Sequence, residues 1–251
     1  MRSIIWLVLL CVVAVVAATT LGSNDGIVSI YWSGWRSDLS LNLFLLLLIG
    51  YPVAYGMARL PRRWQAIAMM LVIVPFWTSF LIRIYAWVGI LKNNGLVNNL
   101  LIKIGLIDEP LKILYTPTAA YIGIVYCYLP FMILPLYTNL MKHDNRLLEA
   151  AYDLGAKPWQ AFLRITLPLS KAGIVAGCML VMIPAVGEYV IPEMLGGPDT
   201  LMIGRQLVND FSAATDWPRA SAVAISMLLL LLVPILIFNR VQQREMEGKL
   251  T

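Results

Sequence analysis

The sequence predicts an all-α membrane protein of about six transmembrane helices with both termini in the cytoplasm. Three observations carry this. The 251-residue chain is 60% hydrophobic, with a mean hydropathy of +0.77. Only 13% of its residues are charged, where a soluble domain carries roughly a quarter. Six stretches are also apolar for about the 20 residues that a helix needs to cross hydrocarbon, which cannot satisfy a bare backbone.

In chain order the spans are Ile4–Leu21, Leu41–Leu60, Ala66–Trp87, Ala119–Leu140, Ala172–Val190 and Ala220–Phe238. The first also fits a signal peptide, because Arg2 precedes its apolar run and Ala17-Ala18 follow it. Left uncleaved, it gives an even number of spans. Basic residues agree with that count. Arg2, Arg59, Arg62, Arg63, Lys142, Arg146, Lys157, Arg164, Lys171, Arg240, Arg244 and Lys249 fall on one side. Arg36, Lys92, Lys103, Lys112, Arg205 and Arg219 fall on the other, and Arg83 lies within a span. The richer side is cytoplasmic by the positive-inside rule. The net charge of +5 therefore reports orientation, not a nucleic-acid partner. Cys11, Cys127 and Cys178 sit in apolar runs, as small packing residues and not as a disulfide framework.

Between the spans lie two long outer connections, Leu91–Thr118 and Ile191–Arg219, and one inner loop, residues 141–171. The inner loop is the most polar stretch. Asp144 is placed to cap a short helix that Gly155 closes in the left-handed conformation. Leu147, Leu148, Ala151 and Leu154 recur on one face at helical spacing. A second helix restarts at Pro158, a residue accepted in a first turn, and Pro168 ends or bends it. An apolar face on such a helix needs cover. The bilayer surface or the protein's own bundle would serve, but the face is small and alanine-rich, and Glu149 and Asp153 repel anionic lipid. A groove on a partner protein suits it better.

The loop resembles the EAA loop of binding-protein-dependent ABC importer permeases. Glu149-Ala150-Ala151, three residues, Gly155, nine residues, then Ile165-x-Leu167-Pro168 meets every position of that pattern. The resemblance implies a type I importer fold, with residues 1–251 as one permease domain whose core is about 41–240. It implies that Glu149, Ala150, Ala151, Leu154 and Gly155 dock on an ATPase subunit. The chain itself would then be no enzyme and would hold no catalytic residue, metal or cofactor, with ATP and Mg bound by the partner ATPases. The implied assembly is a second permease subunit (a heterodimer), two ATPase subunits and an external binding protein, in a bacterial inner membrane.

Similarity to spermidine/putrescine permeases extends over roughly residues 48–250. It is carried by Pro75-Phe76-Trp77-Thr78-Ser79, Arg83-Ile84-Tyr85-Ala86-Trp87, Tyr128-Leu129-Pro130-Phe131-Met132, Gly187-Glu188-Tyr189-Val190-Ile191-Pro192-Glu193 and Leu195-Gly196-Gly197-Pro198-Asp199-Thr200. A polyamine is the implied solute, with an ABC permease for another small solute as the alternative. The residues lend separate support. Glu188, an ionisable group at membrane level, suits an ammonium, and Tyr85, Trp87, Tyr128 and Tyr189 offer cation–π faces. Two other readings stay open: Glu188 pairs with Arg83, and the aromatics form ordinary interfacial belts. Pro75, Pro130, Pro135 and Pro184 fall mid-span, marking either a gate or irregular packing. One departure from the family is the short outer segment Gly22–Ser40, which leads abruptly into the second span.

An intramembrane enzyme fits poorly, since the only histidine, His143, lies in the inner loop. A channel or secondary transporter leaves that loop without a purpose, and no arginine ladder or inverted repeat stands out.

Overall fold

The computed structural model describes residues 27–236 except 145, 199, 201, 216, 219, 222, 226, 229–230 and 233–234, with the backbone alone at 27–38 and 206. The stretch Ile4–Leu21 lies outside the described residues. Of Ala220–Phe238, the described positions up to 236 are helical. Every regular element among the described residues is a helix. The chain forms two units, one of Leu41–Leu111 and Tyr121–Met182, the other of Met1–Ser40, Lys112–Ala120 and Ile183–Thr251.

The first helix, α1, runs over Ile27–Arg59, and its part Leu39–Arg59 is long and apolar enough to cross a membrane. The expected outer segment Gly22–Ser40 is therefore helical from Ile27 onward, because no proline in it stops the helix. The helix ends at Arg59 because Pro61 disfavours the helical conformation in Leu60, the residue before it. The Gln65 side chain then reaches back to the carbonyls of Ala58 and Leu60, at 3.2 and 2.9 Å. Those are orphan acceptors of the helix end.

The span expected at Ala66–Trp87 is not one helix. Helix α2 (Arg62–Ile73) tightens into a 3₁₀ turn (Val74–Trp77), and α3 (Phe80–Leu91) leaves in another direction. The two arms of this region, Arg62–Trp77 and Phe80–Ile104, meet at 92°. Pro75 has no N–H to bond the previous turn. Thr78 is extended, and its hydroxyl donates to the Pro75 carbonyl at 2.7 Å.

The outer connection after α3 contains a helix that the sequence reading omitted, α4 (Leu96–Ile104). It is followed by α5 (Pro117–Leu140), the second uninterrupted membrane-length helix among the described residues. Helix α6 (Arg146–Asp153) is the short inner-loop helix. After it, α7 (Pro158–Ala161), one π turn (Phe162–Thr166) and α8 (Leu167–Leu169) make a continuous segment. That segment meets α9 (Lys171–Val186) at 59°. Pro168 thus bends the path without ending it. The π turn lets Leu167 N–H bond Phe162 five residues back, so the missing proline donor is absorbed. Beyond α9 lie α10 (Val190–Met194) and α11 (Ile203–Val208).

Helices α5 and α9 approach closely where α9 lacks side chains. A Cβ on Gly177 would lie 2.8 Å from Met132 Sδ, and one on Gly173 would lie 2.7 Å from Asn139 Cβ. Lipid gives no hydrophobic drive for two helices to associate, so small residues that permit close packing supply the contact. Met132, Ile133 and Leu136 on α5 are fully buried there.

Candidate functional site

Helix α6 is capped at both ends by the residues that its sequence nominates. The Arg146 N–H donates to Asp144 Oδ1 at 3.0 Å. At the other end Gly155 takes φ +80, its N–H bonds the Tyr152 carbonyl at 2.9 Å, and Ala156 N–H bonds the Ala151 carbonyl at 3.0 Å. This pair of bonds is a Schellman closure, which needs a left-handed residue and hence glycine. The chain then turns at once into α7.

No residue of α6 is buried. Leu148 and Ala151 are half-covered, while Leu147, Glu149, Ala150 and Tyr152 are exposed. Leu154 is 89% exposed, and Trp159 at the start of α7 is 61% exposed. The apolar face expected from spacing is therefore split. Leu148 and Ala151 turn toward the chain, and Leu147, Ala150 and Leu154 form an open stripe three and four residues apart. All five residues of the predicted coupling set, Glu149, Ala150, Ala151, Leu154 and Gly155, lie on this helix or its closing turn.

The membrane-level candidates fall in both units. Arg83 and Trp87, on α3, line a cavity of about 320 Å³ together with Thr78, Ile82, Ala86, Ile90 and Tyr126. The Arg83 guanidinium lies 4.3 Å from the centre of the Phe76 ring and 5.7 Å from that of Phe80, so its charge rests on aromatic faces. Trp87 and Tyr126 meet edge to face at 5.4 Å. Tyr85, on the same helix, points elsewhere and is 60% exposed. Tyr128 is buried beside Phe131, with ring centres 6.2 Å apart.

Glu188 and Tyr189 belong to the other unit. Glu188 was expected within the fifth span, but α9 stops at Val186 and the residue lies in the break before α10. It is 7% exposed, and its Oε1 accepts the N–H groups of Val190 and Ile191 at 2.9 and 3.1 Å. The carboxylate thus caps α10, whose first N–H groups have no partner within the helix. Helix α11 presses on this break through Gly204, where a Cβ would come within 2.5 Å of the Glu188 carbonyl.

Three groups of importance escaped the sequence reading. Arg205, placed only as an outer-loop charge, binds Glu193 Oε2 at 2.8 Å through Nε and the Gly197 carbonyl at 2.7 Å through Nη1. It so fixes the Gly196-Gly197-Pro198 turn, whose Gly197 N–H is held by Thr200 Oγ1 at 3.1 Å. Asn98, bonded to the Leu111 backbone, and the Tyr51–Ser170 pair are the other two. Among the described residues no three His, Cys, Asp or Glu side chains gather as metal ligands.

A family model described as the binding-protein-dependent transport system inner membrane component matches residues 26–247. The chain is similar to the spermidine/putrescine transport system permease protein PotB of Haemophilus influenzae, at 44% identity over 196 residues that cover 78% of this chain and 68% of that protein. The protein of the same name from Escherichia coli K12 is 43% identical over 206 residues, covering 80% and 75% respectively. Among solved structures, a bacterial ABC transporter involved in the import of the acidic polysaccharide alginate matches with a TM-score of 0.60. That match covers 97% of this chain and 93% of the other at 21% identity, a likeness of fold.

Proposed function

The chain belongs to the family of binding-protein-dependent transport system inner membrane components, and we propose that it is the polyamine-translocating permease subunit of an ATP-driven importer. The single observation that carries the mechanism is α6. A capped helix holding Leu147, Ala150 and Leu154 open to one side has a face that an ATPase cleft would cover. Closure of the ATPases on ATP would then push α6 and, through the α7–α8 segment, the spans. No residue of this chain performs chemistry in that cycle. ATP and Mg would be bound by the two ATPase subunits, and the work here is mechanical.

The topology proposed is six spans with both termini cytoplasmic, as the 12-to-6 split of basic residues supports. The two arms around the Thr78–Ser79 break would count as one broken span. Exposed apolar side chains on α2, Trp64, Ile67, Met70 and Leu71 among them, suit lipid or a second permease subunit. An external polyamine-binding protein would deliver the solute to the outer face.

The solute class rests on the 43–44% identity to spermidine/putrescine permeases. Arg83 argues against a cation resting in the α3 cavity, because like charges repel in a site of low dielectric. A bound polyamine would therefore meet Glu188, Tyr189 or the partner subunit in preference to that cavity. Reconstitution with the partner permease, the ATPase and the binding protein tests the whole reading. ATP-dependent uptake of putrescine or spermidine, but not of a neutral amino acid, is the expected result. Equal uptake without ATP would refute it.

A further inference from the structure

We propose that Tyr51, Phe162 and Ser170 form a latch that carries movement of the coupling segment into α1, an inference that rests on reading this chain as an ATP-driven permease. Ser170 stands where α8 meets α9 and is fully buried. Its hydroxyl donates to the Thr166 carbonyl at 2.7 Å, and its N–H bonds the same carbonyl at 2.9 Å. With its one hydroxyl proton so placed, the Ser170 oxygen accepts the hydrogen bond that the Tyr51 hydroxyl donates at 3.0 Å. Two turns earlier, Phe162 sets its ring edge-on to Tyr51 at 5.7 Å and to Tyr55 at 5.5 Å. The Arg59 guanidinium covers Tyr55 at 4.5 Å. Tyr51, Tyr55 and Arg59 are spaced i, i+4, i+8, so one stripe along the last turns of α1 meets the coupling segment.

The 59° bend at Ser170 is a firm elbow. Two backbone hydrogen bonds meet at it, from Ser170 N–H to the Thr166 carbonyl and from Ile174 N–H to the Ser170 carbonyl, at 2.9 Å each. A serine hydroxyl bonded four residues back is a known cause of such a bend. A push on α6 therefore reaches α9 along the backbone. It reaches α1 through side chains, by the buried Tyr51–Ser170 bond and the Phe162 ring contacts. A buried polar pair in apolar surroundings holds one geometry, because breaking it leaves the Tyr51 hydroxyl without its partner. Tyr51 and Ser170 are positioning residues. They touch no solute, and their effect falls on the coupling between hydrolysis and transport.

The test uses the assembled complex in proteoliposomes, with ATP hydrolysis and putrescine uptake measured together. Tyr51→Phe keeps the ring packing and removes the phenol alone. The expected result is hydrolysis within about twofold of the parent and uptake per ATP reduced about tenfold, the scale of one lost buried hydrogen bond. Ser170→Ala should match it, the double variant should be no worse than either, and Ser170→Thr should restore coupling. Spin labels at the exposed positions Leu48 and Leu163 give an independent readout. Their separation should stay fixed between resting and nucleotide-trapped states in the parent, and change in Tyr51→Phe. An unchanged uptake-to-ATP ratio, or a parallel fall in hydrolysis and uptake, would overturn the latch. A parent complex without any nucleotide-dependent uptake would instead sink the permease reading on which it rests.

Discussion

The side-chain amide of Asn98 pairs with the backbone of Leu111 at two points. Nδ2 donates to the Leu111 carbonyl and Leu111 N–H donates to Oδ1, both at 2.9 Å. Asn98 is 0% exposed, and its two bonds pin the chain at Leu111 to α4. Replacing it by leucine keeps the volume and leaves these backbone groups without their partner, at a cost of about 2 kcal/mol. Asn98→Asp keeps one acceptor and loses the donor, so it should fall between. Thermal unfolding of the purified complex orders the three. A leucine variant as stable as the parent would show that water replaces the clamp.

Leu154 gives the cleanest test of docking. It is 89% exposed in the isolated chain, so Leu154→Asp should alter chain stability by no more than about 0.5 kcal/mol. Buried against a partner it becomes an anchor, and the same change should weaken ATPase association about 30-fold. Gly155→Asp and Ala151→Asp should also abolish uptake with insertion intact, but each carries an added cost. Gly155 must hold φ +80, which costs a residue with a Cβ about 1 kcal/mol, and Ala151 is half-covered by its own chain. Pull-down of the ATPase by the Leu154 variant, compared with the parent, decides the matter.

What was legible in the sequence divides by range. The caps of α6 were readable because Asp144 and Gly155 act on backbone within two or three residues of themselves. Helix α4 carried the same kind of signal in Gly105, which has φ +75 at its end, yet an outer connection rich in polar residues hid it. The 92° break after Trp77 was not readable from hydropathy, since Phe76 to Ile90 is apolar on both sides of it. Only Pro75 with Thr78-Ser79 marks the place, and a proline alone does not separate a kink from a full break. Glu188 was picked out by its charge, but its role as the cap of α10 depends on α9 stopping at Val186. The Tyr51–Ser170 bond spans 119 positions and left no local trace.

Arg205 should matter more than its ion pair. The Glu193 end is 43% exposed, so Glu193→Gln should cost less than about 1 kcal/mol. Arg205→Ala also releases the Gly197 carbonyl, and should cost about 2 kcal/mol, with Arg205→Lys in between because it lacks the planar fork. Limited proteolysis within residues 195–205 reads the loosening directly. Equal protection in Arg205→Ala and the parent would show that Thr200 holds the turn by itself.

Glu188 has two possible duties, and two substitutions separate them. As a cap it needs an oxygen that accepts the Val190 and Ile191 N–H groups, and glutamine supplies one. Glu188→Gln should therefore keep the stability of the complex, whereas Glu188→Ala should lose about 1 kcal/mol. If the carboxylate also meets an ammonium of the solute, Glu188→Gln should raise the KM for putrescine about tenfold, since the charge alone is gone. That shift should be absent for hydrolysis measured without solute. A glutamine variant with the parent's KM confines Glu188 to holding α10, and moves the solute's charge partner to the second permease subunit.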